Sequence, residues 1–162
     1  MEVQSPLQCR RSTQEGVPVT LSLDHAHTIL HGALDHTKQI EMKPVSIVVL
    51  DARGVLKAAA AQDGTSLRRT DIAMGKAHGA VALGMGSRSL FKRAKEQAFF
   101  IAAATEAIGG KLIPVPGGVL IRDSGGAILG AVGISGCTSE NDEAAAMAGI
   151  ANAGLVGDPG AD

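Results

Sequence analysis

Between residues 23 and 37 the chain places Leu23, Ala26, Ile29, Leu30, Ala33, Leu34 and Thr37 at three- and four-residue spacing. That period predicts an amphipathic helix over about 23–41, with the Ser22 hydroxyl as its cap. Lys43-Pro44 stops it, and the unbroken aliphatic run Val45 to Leu50 suits a central strand. Asp51-Ala-Arg-Gly54 is a turn signal that returns the chain into 55–61, making a hairpin. Ile72, Ala73, Ala77, Ala80 and Val81 then lie on one side of a second helix, capped by Ser66 or Thr70 and broken at Gly84-Met85-Gly86. Ser87 opens a further helical stretch carrying Leu90, Phe91, Ala94, Ala98, Ile101 and Ala102, which Gly109-Gly110 ends.

The segment that organises the rest is 114–143. Two apolar runs, Val119 to Ile121 and Ile128 to Ile134, flank Asp123-Ser-Gly-Gly126 and predict a second hairpin. Its last strand runs into a small-residue helix from Ser139 to Leu155, with the Ser139 hydroxyl at its start and Glu140, Asp142 and Glu143 suiting its dipole. Helix, hairpin, two helices, hairpin, helix is the order of an α+β domain: an antiparallel sheet with helices packed on it.

Length and polarity divide the 162 residues into a polar amino-terminal arm (1–17), one domain (18–156) and a flexible tail (157–162). Three Phe, no Trp or Tyr, and 21 Gly mean that elements approach closely instead of packing around large rings. So thin a core predicts self-association. Net charge is −1, and the lysines and arginines of 88–95 read as a solvated face, so nucleic acid is not an expected partner. Cys9 and Cys137 sit in unlike contexts, which argues against a disulfide and for a reducing cytoplasm. No stretch approaches the ~18 apolar residues of a membrane span, and the start lacks a signal-peptide pattern.

Four segments resemble the GlcG/HbpS-like family, which includes the carboxy-terminal domain of PduO-type proteins. They are Leu21-Ser-Leu-Asp-His-Ala26, Val45-Ser-Ile-Val-Val-Leu-Asp-Ala-Arg-Gly54, Asp71-Ile-Ala-Met-Gly-Lys-Ala77, and Pro116-Gly-Gly118 with Gly130 to Asp142. The resemblance spans about 20–155. It implies a profilin-like α+β fold with a five-stranded antiparallel sheet, and symmetric homo-oligomers built from dimers, often octamers. It also implies binding of haem or a corrinoid-related cofactor in some members, and a place beside small-acid catabolism in others. Cys137 and Asn141 depart from the usual glycine and glutamine.

Three sets of residues carry candidate chemistry. His27 and His31, four apart on the first helix, project from one face and suit a metal or haem iron. The resemblance implies a first-helix histidine as haem ligand, with His31 slightly ahead; the plain alternative is a polar surface. Lys76 faces the glycine-rich segment, where it can hold a carboxylate, act as a base with Glu140 or Asp142, or simply pair with an acid such as Asp142 across a subunit contact. Amides of Gly117, Gly118 and Gly136 can floor an anion pocket. Asp71, about 500° round the helix from Lys76, is expected to fix the helix start. Walker, dinucleotide, Cys-x-x-Cys and Gly-x-Ser-x-Gly motifs are absent. The first functional expectation is a small-ligand or haem-binding oligomer. The second is an enzyme acting on a small carboxylate-bearing metabolite by proton transfer, isomerisation or hydrolysis, and the third a structural subunit.

Overall fold

The computed structural model describes residues 20–161, so the arm expected at 1–17 lies outside the described residues. The elements are α1 (Leu23–Gln39), β1 (Ser46–Asp51), β2 (Leu56–Ala61), α2 (Arg69–Leu83), α3 (Ser87–Glu96), α4 (Ala98–Ala107), β3 (Gly118–Arg122), β4 (Ile128–Ser135), α5 (Ser139–Asn152) and β5 (Val156–Asp158). All strand pairs are antiparallel, in the order β2-β1-β4-β3-β5. Both expected hairpins form, and β1 joins them by pairing with β4, Ser46 opposite Ser135 and Asp51 opposite Gly130.

Strand alternation sorts the central side chains into two cores. Ile47, Val49, Val119, Ile121, Val132 and Ile134 face α1 and α5 and pack on Ile29, Ala33, Ala146 and Ile150. Val48, Leu50, Leu120 and Ala131 face α2, whose side of the core is Ala73, Ala77 and Ala80. The sheet's centre is thus covered on both faces, which is why β1 is an unbroken buried run. With alanines as its fully buried contribution to this core, α2 must lie very near the sheet. A Cβ on Gly133 would overlap the Ala73 carbonyl and come within 3.0 Å of the Ala77 methyl.

Five sequence expectations are corrected. The stretch from Ser87 is two helices, because Gln97 leaves helical geometry at φ −138°, ψ 59°. Leu90 and Ile101 would be about 16 Å apart along one straight helix; the break lets both join Leu112 in a third small core. The basic side chains there are not simply solvated: Arg88 pairs with Glu143 at 2.9 Å, Lys95 lies 4.0 Å over Phe91, and Arg93 lies 5.0 Å over Phe100. Neither Ser66 nor Thr70 caps α2, since Arg68 holds the cap position without a side-chain bond and Thr70 donates to Ser46 Oγ instead.

At α5 the capping hydroxyl is Thr138, accepting from Asn141 N–H at 3.3 Å, not Ser139. Finally, the expected flexible tail begins inside a strand. β5 pairs with β3, Arg122 Nη2 meets Asp158 Oδ2 at 2.8 Å, and the Pro159 carbonyl accepts from Arg88 N–H.

Candidate functional site

Lys76 points from α2 toward the glycine-rich segment, as its place in the helix dictates. Its Nζ donates to the Ile134 carbonyl at 2.8 Å and to Asp142 Oδ2 at 3.0 Å. Asp142, in the first turn of α5, uses its other oxygen to accept Cys137 N–H at 3.0 Å. Lys76 is 3 % and Asp142 2 % exposed, so this ion pair is sealed inside one chain and not formed across a subunit contact. Burial pushes the Lys76 ammonium below its usual pKa, and the Asp142 charge opposes that shift.

Gly117 and Gly118 do converge on the pair, as the sequence suggests. Gly117 sits at φ +113°, and a Cβ there would lie 2.8 Å from Lys76 Nζ and 3.0 Å from Asp142 Cβ. Its carbonyl accepts Ile134 N–H at 2.8 Å. The Gly118 amide donates to Ser87 Oγ at 2.7 Å, on a serine with no exposure. That donor is therefore satisfied within the fold and does not open onto a ligand. Ser87 is the residue the sequence reading missed here: it looked like an ordinary helix start, and only the tertiary fold turns it toward β3.

The other named residues lie elsewhere. Asp71 pairs with Arg68 at 2.8 Å on the exposed start of α2, where it steadies the helix end and takes no part in the Lys76 contact. Glu140 is exposed on α5, and Glu143 is held by Arg88. Gly136 belongs to the β4–α5 corner, where a Cβ would overlap the Pro44 carbonyl.

His27 and His31 form the second candidate site. Both are exposed on α1, with ring centroids 6.4 Å apart and planes inclined by 39°. Leu23, 49 % exposed, precedes them by one turn on the same stripe. Neither imidazole has a hydrogen-bond partner among the described residues, whereas His78 Nδ1 lies 3.1 Å from the Lys111 carbonyl. His36 differs again: its Nε2 is buried without a partner among the described residues. No group of three His, Cys, Asp or Glu side chains with metal-holding geometry occurs among the described residues.

A five-stranded antiparallel sheet with helices on both faces, and a first helix presenting two exposed imidazoles without a hydrogen-bond partner among the described residues, defines an α+β domain. The family model for haem degrading protein HbpS-like matches residues 21–151, and the chain belongs to that family. No curated protein matches the sequence. Among solved structures, the PduOC:heme complex superposes with TM-score 0.75 at 25% identity, covering 85% of this chain and 97% of that one. A double mutant of Streptomyces reticuli HbpS gives 0.71 at 24%, covering 93% and 97%. Klebsiella pneumoniae protein ORFY gives 0.74 at 20%, covering 93% and 98%. The latter two establish likeness of fold. No described helix is long and apolar enough to cross a membrane.

Proposed function

We propose that this protein binds haem, or a similarly flat metal-bearing tetrapyrrole, through an imidazole of α1. The observation that carries the reading is the exposed His27/His31 pair, whose ring nitrogens have no hydrogen-bond partner among the described residues, in an HbpS-like chain that superposes on a structure described as a heme complex. The donor chemistry fits, because neutral imidazole is a common ligand of haem iron. Bound haem would bring Lewis-acid and redox chemistry that no side chain has. Two rings on one turn-spaced stripe cannot stand on opposite faces of a macrocycle, so one histidine is the ligand. We favour His31, with His27 and Leu23 beside it on the same stripe.

This face has no aromatic wall of its own, so the reading includes a second copy to enclose the ligand. We read the protein as a cytoplasmic homo-oligomer built from dimers. The exposed Phe99 on α4 and the scarcity of aromatics in the core support that part. The enzyme alternative has less support. The Lys76 ammonium is enclosed and twice hydrogen-bonded, Asp142 is engaged at both oxygens, and Glu140 is on the exposed side of α5's first turn.

The test is a haem titration followed by absorption. A sharp Soret band at stoichiometric haem, lost in the His27→Ala/His31→Ala double variant and kept in His78→Ala, is the expected result. No Soret band in the native protein, or a band unchanged in the double variant, would overturn the reading.

A further inference from the structure

The corner where β4 turns into α5 holds a cavity of about 270 Å³, lined by Lys43, Arg69, Gly136, Cys137 and Thr138. It is smaller than the ~300–1,000 Å³ of pockets for drug-sized ligands, so its occupant is small. Three elements supply the side chains: the α1–β1 connection, the first residue of α2, and the β4–α5 loop. Charge is the informative feature. Arg69 donates to Ser135 Oγ at 3.3 Å, and neither it nor Lys43 forms a salt bridge among the described residues. Asp142, which accepts the Cys137 amide, is already committed to Lys76. Two cations therefore line a small cavity without an acidic partner, which is the arrangement that seats an anion.

The third wall is a nucleophile. Cys137 is a free, half-buried thiol whose sulfur takes a hydrogen bond from Asn141 Nδ2 at 3.5 Å. That donor favours the thiolate. The Asn141 bond leads in drawing the thiol below its ordinary pKa, against burial and the Asp142 charge. A glycine at Cys137 would leave the cations but no nucleophile; a glutamine at Asn141 would move the amide that faces the sulfur.

We infer that Lys43, Arg69 and Cys137 form a reactive-thiol site for a small carboxylate-bearing disulfide, with the two cations seating the carboxylate against the Cys137 sulfur. The Cys137 thiolate attacks the nearer sulfur of the reagent, and a protein–reagent disulfide forms as the reagent's own S–S bond breaks. The departing half leaves with the electron pair as a thiolate and takes a proton from water. Cys137 sulfur is oxidised, the departing sulfur is reduced, and a second thiol reverses the exchange. This site shares no residue with the α1 histidine stripe, and it stands or falls without haem.

The experiment uses the reduced full chain with dithiodiglycolate, a dianionic disulfide, and hydroxyethyl disulfide, its neutral counterpart. Modification of Cys137 is followed by mass spectrometry beside an uncharged free thiol, N-acetylcysteine amide, in the same mixture, so that the small thiol corrects for the intrinsic reactivity of each reagent. The ratio of the Cys137 rate to the reference rate is expected to be about tenfold higher with the dianion, the size of one charge-assisted contact. Lys43→Met/Arg69→Met should abolish that preference, and Asn141→Ala should slow Cys137 with both reagents at neutral pH. Equal ratios for the two reagents, or a preference that survives the double variant, would overturn the site. If the double variant loses its circular dichroism signal, Lys43→Met alone decides in the same way, because Lys43 is an exposed side chain.

Discussion

Lys76 Nζ lies 3.0 Å from Asp142 Oδ2, and the two residues bind α2 to α5 around the end of β4. Neither charge has water to fall back on. Removing one partner of such a buried pair is expected to destabilise the protein by about 3–5 kcal/mol, because the other charge stays uncompensated. Urea unfolding of Lys76→Met should show that loss, while Lys92→Met on exposed α3 should change stability by less than ~0.5 kcal/mol. Lys76→Met/Asp142→Leu should recover much of the loss. A Lys76→Met variant as stable as the native protein would mean that the pair is not sealed as described.

Gly133→Val tests how near α2 lies to the sheet. The added Cβ would overlap the Ala73 carbonyl, a backbone atom that cannot swing away. Overpacking of this kind costs about 1–3 kcal/mol or more, so the melting temperature should fall by several degrees. An unchanged melting temperature would show that the α2 face of β4 is open.

Asp51 sets an acid-side limit on stability. Its carboxylate is buried and accepts N–H bonds from Arg53 at 2.9 Å and Val55 at 3.0 Å, with Arg53 Nη2 at 3.2 Å. Burial pushes its pKa up, but the Val55 and Arg53 bonds outweigh burial and hold the carboxyl below its ordinary value. A depressed folded pKa gives stability that is present above the unfolded value, near 3.9, and lost as pH falls through the folded one. Urea midpoints measured from neutral pH downward should therefore decline below about pH 4. Asp51→Asn should flatten that decline while lowering the neutral plateau; an identical acid limb in both proteins would assign the loss to other groups.

Phe99 on α4 is 80 % exposed and Phe100 beside it 36 %. Only Ile101 of this helix is buried, although its sequence is almost wholly apolar. Light scattering is expected to report an assembly larger than one chain, and Phe99→Asp to reduce it. A native protein that stays monomeric at micromolar concentration would refute the assembly.

The helical and strand periods were legible wherever a single face had to be buried. Ala26, Ile29 and Ala33 of α1 and the β-branched run of β1 stand where their spacing puts them. The convergence of Lys76, Asp142, Gly117 and Gly118 was also legible, because β4, on which α2 packs, runs straight into the first turn of α5. What escaped was decided by long-range contacts that leave no local mark. β5 is three residues long and carries Gly157, where a Cβ would come within 2.5 Å of Met147 Sδ; no period shows in three residues. Gln97 breaks a stretch with no Gly or Pro because Leu90 and Ile101 both need Leu112. Lys43, Arg69 and Cys137 share a cavity only after the sheet has closed.

The pairing of β1 with β4 also sets a timetable for synthesis. Chain is made at about 5–20 residues per second, and the first hairpin emerges long before its central partner exists. Ser46 meets Ser135 only when the ribosome has released nearly the whole domain. Until then Val48 and Leu50 have α2 on one side but an unpaired strand edge along β1, a bare template for another nascent chain. Charged Lys57 on β2 guards the opposite edge of that hairpin, not this one. Slowing translation after residue 61 should therefore raise aggregation of nascent chains, and a chaperone that covers β1 should relieve it.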